Sequence, residues 1–320
     1  MARKANHRLL DLAKINKRDE FYTLYPDIER ELQHYEAHFR DKIIYCNCDD
    51  PTTSNFYRYF VGNFHRLGLR KLICSCYRND DADLFTPSRE HGFYCEYTGR
   101  KNIFPSHDDM TFFRGNGDFR SQECIELLRQ SDIVATNPPF SLFREYVRQL
   151  ITYSKKFLII SNINAITYKE IFPLIQSNKI WLGVNFGRGI SGFIVPENYG
   201  LYGTETRTDE SGRRIISPNN CLWLTNLDNF RQHEIITLTK KYHGHEAEYP
   251  FYDNYPAINI DRTKDIPADY AGTMGVPVTF LHKYSPEQFA IVGFRKGNDG
   301  RDLSINGKYT YCRILIRRRL

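Results

Sequence analysis

The strongest chemical signal lies in Thr136-Asn137-Pro138-Pro139-Phe140, directly after the apolar run Asp132-Ile133-Val134-Ala135. Proline locks φ and pushes the residue before it into an extended conformation. Asn137 and the carbonyl of Pro138 are thereby held as two rigid acceptors. In an open α/β sheet, a turn at the carboxyl end of a strand faces the place where ligands bind. Two fixed acceptors suit an amino group that must attack a methyl. An exocyclic amine on an aromatic base is a poor nucleophile, because its lone pair is delocalised. Acceptors that favour a more tetrahedral nitrogen, and that stabilise the positive charge developing on it, would assist transfer. Phe140 offers a surface on which a base extruded from a duplex can stack. Taken alone, the tetrapeptide fits a plain surface turn between strand and helix equally well.

The surrounding pattern predicts the elements that would hold this turn. Apolar runs at Lys42–Cys46, Lys71–Cys76, Asp132–Thr136 and Phe157–Ser161 read as strands. Helical segments are expected over Asp27–Phe39, Asn55–Leu67, Ser121–Gln130, onward to Ile151, and Lys169–Gln176. Short, wholly apolar strands alternating with helices imply an α/β fold with a doubly wound, mostly parallel sheet. After about Lys179, strand-like pieces at Ile180–Val184, Phe193–Val195 and Cys221–Thr225 alternate with turn residues. From about Leu227 onward, Tyr, Asn, Asp and Pro are frequent, and an irregular region is expected.

The 320 residues, 41% of them hydrophobic, suffice for a large core. Lys and Arg outnumber Asp and Glu by 44 to 38, a mild excess compatible with a polyanionic partner. The excess sits at the ends. Arg3, Lys4, Arg8, Lys14, Lys17 and Arg18 stand against Asp11 alone, and Lys308, Arg313, Arg317, Arg318 and Arg319 close the chain. These runs are either solvated or in contact with phosphate. No apolar stretch has membrane-spanning length and the N-terminus has no apolar signal core, so a cytoplasmic protein with reduced thiols is expected.

Two further motifs invite chemistry and are read otherwise. Cys46-x-Cys48 and Cys74-x-Cys76 are spaced more tightly than structural zinc ligands, and each pair ends an apolar run. They read as buried strand thiols, with no metal site. Gly187-Arg188-Gly189-Ile190-Ser191-Gly192 matches G-x-G-x-x-G, but a strand at Phe193 follows it where a dinucleotide loop would open a helix.

Asn137-Pro138-Pro139-Phe140 resembles the (Asp/Asn/Ser)-Pro-Pro-(Tyr/Phe) motif of amino-methyltransferases. More narrowly, the chain resembles the EcoRI family of adenine-specific DNA methyltransferases. The resemblance runs through Asp19–Thr23, Tyr45–Pro51, Gly117–Ser121, Asn137–Leu150, Trp181–Pro196, Ser217–Asn226, Gly272–His282 and Leu303–Lys308.

That resemblance implies a Rossmann-like class I methyltransferase with a C-terminal target-recognition region; the change in composition near Leu227 places the division between residues 1–226 and 227–320. It implies S-adenosylmethionine as cofactor. Phe21, Tyr22 and Thr23 would face its methionine moiety, Cys46, Asp49 and Asp50 its amino-acid part, and Asp118 and Phe119 its adenine. Asn137, Pro138, Pro139 and Phe140 would be catalytic, acting on adenine N6 in double-stranded DNA. The family name makes GAATTC the first expectation for the site, with a cognate restriction endonuclease that is not contacted directly. Related Asn-Pro-Pro motifs also serve enzymes acting on RNA adenine or protein glutamine. The chain departs from general methyltransferase patterns by lacking a glycine-rich loop after the first strand, and only Asp80 follows the second strand as a candidate acid.

Overall fold

A computed structural model describes residues 22–78, 91–99, 105–186, 189–195, 206–217, 220–295 and 302–319. Phe21, the basic segment 1–18, Asp80, Gly187 and Arg188 lie outside the described residues. The chain divides into two compact units. One holds Met1–Ala165 with Asn185–Leu227, and the other Ile166–Val184 with Asp228–Leu320.

In chain order the strands are β1 (Tyr22–Thr23), β2 (Ile43–Cys46), β3 (Lys71–Cys76), β4 (Phe93–Tyr97), β5 (Met110–Phe112), β6 (Ile133–Thr136) and β7 (Lys156–Asn162). After β8 (Trp181–Leu182) of the second unit, β9 (Phe193–Ile194), β10 (Thr206–Thr208), β11 (Arg214–Ile216) and β12 (Cys221–Thr225) return to the first. The main sheet of the first unit runs β5-β4-β3-β2-β6-β7-β12.

β3, β2, β6 and β7 are parallel. β4, β5 and β12 are antiparallel additions at the flanks, so the sheet is mixed where a mostly parallel one is expected. Burial explains why the sequence showed the centre and not β4 and β5. β2 and β6 are buried at every position, whereas β4 alternates between core and surface as a half-covered antiparallel strand does. From β2 the chain crosses to β3 on one side, and from β6 to β7 on the other. The strand order therefore reverses between β2 and β6.

The helices follow local signals. Ser54 caps Asn55–Gly62 by accepting from the Phe56 and Tyr57 N–H groups, and Ser121 caps Gln122–Gln130 through Cys124. Phe143–Thr152 links β6 to β7. Cys46, Cys74 and Cys76 are buried, as expected of strand thiols, while Cys48 lies in the turn after β2. A small antiparallel sheet, β1-β9-β11-β10, completes this unit.

The second unit corrects the expectation of an irregular region after Leu227. β13 (Phe251–Tyr252), β14 (Tyr255–Asn259), β15 (Thr273–Pro277), β16 (Phe289–Arg295), β17 (Ser304–Ile305), β18 (Lys308–Tyr309) and β19 (Arg313–Arg318) follow in sequence. Five of them form a sheet ordered β13-β14-β15-β19-β16. Pro256, Gly275, Pro277 and Gly293 interrupt the strand pattern and conceal it. The basic C-terminal run forms β19, between β15 and β16. Ile314, Leu315 and Ile316 are core, and Arg313 is buried with its guanidinium donating to Asn259 (3.1 Å) and Asp261 (3.0 Å). That guanidinium is committed inside the fold. Among the described residues, no helix is long and apolar enough to cross a membrane.

Candidate functional site

The site is built where the strand order reverses, at the carboxyl ends of β2 and β6, as expected for a ligand position in an open α/β sheet. Asp49 is its pin. Its carboxylate accepts from Ser54 Oγ at 2.7 Å and from Thr136 Oγ1, the residue before Asn137. Its N–H donates to the Ser75 carbonyl (3.1 Å), and its own carbonyl accepts from Cys74 Sγ (3.0 Å). One residue thereby joins the ends of β2, β3 and β6 to the start of the next helix, its backbone to β3 and its side chain to β6 and the helix. Burial pushes the Asp49 carboxyl up to about 6, against the lowering effect of the two hydroxyl donors.

Asn55, inside that helix, donates from Nδ2 to the Thr23 carbonyl at 2.8 Å, which ties β1 to the same place. β1 also pairs with β9, Thr23 opposite Phe193. Phe193 meets Phe140 edge-on, with centroids 6.4 Å apart and planes at 74°. The segments around Tyr22–Thr23, Asp49 and Asn137–Phe140 thus assemble into one constellation, although they are far apart in sequence. Pro138 is buried, while Asn137, Pro139 and Phe140 are partly exposed.

Asp50 is engaged locally. It accepts from Thr52 N (2.9 Å) and Thr52 Oγ1 (2.6 Å), and Arg78 approaches at 3.4 Å. Cys46 is sealed in the sheet, and burial pushes its thiol well above the usual range. Asp118 accepts from the Arg120 backbone N–H (2.8 Å) and doubly from its guanidinium (2.9 and 2.7 Å). Desolvation opposes these bonds, but the carboxyl stays below its ordinary range. Phe119 is buried against Tyr146, whose hydroxyl donates to Asn47 Oδ1. Gly117 brings this segment against β3. Its φ is +79°, and a Cβ there would lie 2.5 Å from the Cys76 carbonyl oxygen.

Several of these partners escaped the sequence reading: Asn47, Ser54, Thr136, Tyr146 and Arg120. So did a polar strap that ties Asn185 and Ser191 to the helix after β1. Asp27 and Glu31 are both fully buried on the helix Tyr25–Leu32. Asp27 accepts from Ser191 N (2.7 Å) and Oγ (2.8 Å), and Glu31 from Asn185 N (2.9 Å) and Nδ2 (2.8 Å). The signal was available, for two acids one turn apart flank Ile28 and Leu32 on the apolar face. Ser191 of the G-x-G-x-x-G match is held by Asp27, and the match is followed by β9, not by a helix.

Chemically, the arrangement offers oriented acceptors at a rigid turn, an aromatic surface beside it, and carboxylates largely satisfied by their neighbours. It suits orientation of an amine better than abstraction of a proton by a strong base.

The family model described as adenine-specific methyltransferase EcoRI matches residues 9–319. Type II methyltransferase M.EcoRI of Escherichia coli is 62% identical over 323 residues, covering 99% of this chain and 98% of that protein. Type II methyltransferase M.MgeORF184P of Mycoplasma genitalium is 36% identical, covering 96% and 97%. Type II methyltransferase M.MpnI of Mycoplasma pneumoniae is 34% identical with the same coverage. No solved structure matches the chain.

Proposed function

The chain belongs to the EcoRI family of adenine-specific methyltransferases, and from that premise we propose that it methylates adenine N6 in double-stranded DNA, with GAATTC as its site. The observation that carries the site assignment is the Asp49–Thr136 hydrogen bond, which fixes the Asn137-Pro138-Pro139-Phe140 turn at the strand-order reversal. The reversal, with helical crossovers diverging from it, supports a Rossmann-like class I fold in the first unit. Residues 227–320 are the proposed target-recognition region.

S-adenosylmethionine supplies the electrophilic methyl when bound. The residues present fit it. Asp118 is a quarter exposed, and its three Arg120 donors leave carboxylate capacity for one more, such as an adenine amino group. Tyr22, Thr23 and Asp50 are the proposed holders of the amino-acid end, while Asp49 acts by fixing the loop. Asn137 Oδ1 and the Pro138 carbonyl accept from the two N–H bonds of the target amine and direct its lone pair outward. Phe140 stacks on the extruded ring, supported from the side by Phe193. The proton released after transfer leaves without a strong base.

The test is incubation of the purified chain with labelled S-adenosylmethionine and a GAATTC duplex, followed by nucleoside analysis. Label in N6-methyladenine, and its absence from a scrambled duplex, is expected. A chain that labels neither duplex overturns the reading. A cytoplasmic location beside a cognate restriction endonuclease acting on the same sequence completes the proposal.

A further inference from the structure

The hairpin β17–β18 is a braced frame that presents exposed side chains. Its turn is Asn306-Gly307, with φ of 50° and 72°, and Ser304 pairs with Tyr309 and Ile305 with Lys308. Two left-handed residues in a two-residue loop give the type I′ turn, whose twist matches the strands it joins. The root is packed: Leu303 is buried with Tyr252, Ala257 and Leu315, and Ile305 lies against that cluster.

The tip is braced from outside. Asp253 accepts from Ser304 Oγ (3.0 Å), Asn306 N (3.1 Å) and Gly307 N (2.9 Å), and its own N–H donates to the Ser304 carbonyl (2.8 Å). Asn254 adds Nδ2 to the Asp302 carbonyl (2.6 Å) and accepts from Ser304 N (3.3 Å). This rigid frame displays two large aromatics. Tyr309, in β18, is 72% exposed, and Tyr311, at the bend two residues on, is 64% exposed. Lys308 is exposed beside them. Lys308 to Tyr311 carries a cation and no carboxylate; the acids of this region, Asp253 and Asp302, lie on the bracing side, where Asp253 is held ionised by the Ser304, Asn306 and Gly307 donors.

We infer that this hairpin is a preformed DNA-contact ribbon, Lys308 pairing with a backbone phosphate and Tyr309 and Tyr311 lying in a groove against sugars and base edges. The inference rests on the DNA reading proposed above and names the element that would carry part of the contact. A two-stranded ribbon fits the major groove, and tyrosine hydroxyls, lysine and backbone N–H groups are the donors phosphates take. Preorganisation matters because aromatic side chains already held on a stiff frame lose little further entropy on binding. The exposed edge from Lys308 to Tyr311, with a cation and no carboxylate of its own, favours a polyanion there over a protein partner of mixed charge.

The experiment uses the full chain with S-adenosylmethionine present. Binding to a GAATTC duplex and to a scrambled duplex is measured over a salt series for wild type, Lys308→Ala and Tyr309→Ala/Tyr311→Ala. Lys308→Ala is expected to weaken both duplexes and to flatten the salt slope by about one ion. The double variant is expected to weaken the GAATTC complex at least about tenfold, an effect of the size of one good contact, with cofactor affinity unchanged. In unmodified protein, bound duplex should also protect Lys308 from amine acylation, which needs no variant. Wild-type affinity and slope in both variants, or an unprotected Lys308 in a saturated complex, overturn the inference. A wild-type chain that binds no duplex overturns the DNA reading itself, so the two failures are distinct.

Discussion

Thr136, the residue before Asn137, donates its hydroxyl to Asp49 across the line where the strand order reverses. Because Asp49 also takes the Ser54 hydroxyl, this one carboxylate sets the turn, the β2 loop and the next helix in mutual register. Its burial has a thermodynamic signature. Desolvation raises its carboxyl from 3.8 to about 6. Between those values the folded state holds more protons than the unfolded, so its contribution is full below the unfolded value and lost as pH rises through the folded one. Asp49→Asn takes no proton, keeps a carbonyl for one hydroxyl and offers an amide to the other. Relative to wild type, the variant should gain about 3 kcal/mol in unfolding free energy between about pH 3 and about pH 7.5. Urea titrations across that range give the answer, and parallel profiles would mean that Asp49 ionises as an ordinary aspartate.

Gly117 separates two costs that glycine substitutions usually mix. Gly117→Ala meets the Cys76 carbonyl oxygen at 2.5 Å and must hold φ near +79°. Gly212, at φ +78° with nothing within 4 Å, carries the backbone cost alone. Gly212→Ala should lose about 1–2 kcal/mol and retain cofactor binding. Gly117→Ala should lose clearly more and also weaken S-adenosylmethionine, since Asp118 and Phe119 follow directly. Thermal melts with calorimetric titration check both. Equal losses in the two variants would show that the β3 contact relaxes at no cost.

The C-terminal arginines behave as parts of a strand. Deleting residues 313–320 removes β19 from between β15 and β16. The expected outcome is collapse of the second unit, seen as rapid proteolysis beyond Asp228, not a folded chain with a flatter salt slope. Arg313→Ala is the milder case. It removes donors to Asn259 and Asp261, and should cost about 1–3 kcal/mol by urea unfolding. A deletion variant that resists proteolysis as wild type does would make β19 dispensable.

Legibility in the sequence followed the range of the interaction. The centre of the sheet was readable because β2, β3, β6 and β7 are nearly continuous apolar runs. β4 and β5 were not, since Glu96 and Thr111 place polar side chains on their open face. The Asn137–Phe140 turn was readable because proline acts locally. What holds it was not: the Thr136–Asp49, Tyr146–Asn47 and Ser191–Asp27 pairs are 87, 99 and 164 residues apart. No local propensity encodes such pairs. Only the unusual acids on the apolar face of Tyr25–Leu32 announced that something polar had to meet them.

Those acids give a further test. Asp27→Ala leaves the Ser191 N–H and hydroxyl without their acceptor, and Glu31→Ala does so to the Asn185 N–H, while the Asn185 amide keeps the Arg30 carbonyl. Each should cost about 1–3 kcal/mol. Asp27→Asn and Glu31→Gln retain an acceptor oxygen and should recover most of the loss. Because the strap leads to Phe193 beside Phe140, the alanine variants should also raise KM for DNA more than they lower kcat. Steady-state kinetics beside urea titration decides it. Wild-type KM in a destabilised Asp27→Ala chain would confine the strap to stability.

Asn137 and Phe140 divide catalysis from capture within four residues. Asn137→Ala removes an acceptor that matters most as charge develops on the amine. Methyl transfer should fall by a factor of about 100 to 1,000 while cofactor affinity hardly changes. Phe140→Ala removes a stacking surface worth about 1–3 kcal/mol per base. It should depopulate the extruded state, and Phe140→Tyr should restore it, since the ring and its edge contact with Phe193 remain. A fluorescent base analogue at the target adenine reads extrusion, and single-turnover methylation reads chemistry. Asn137→Ala should lose the second signal and keep the first, whereas Phe140→Ala should lose the first and drag the second down with it. An Asn137→Ala chain that methylates at the wild-type rate would reduce Asn137-Pro138-Pro139-Phe140 to a turn and move the chemistry elsewhere.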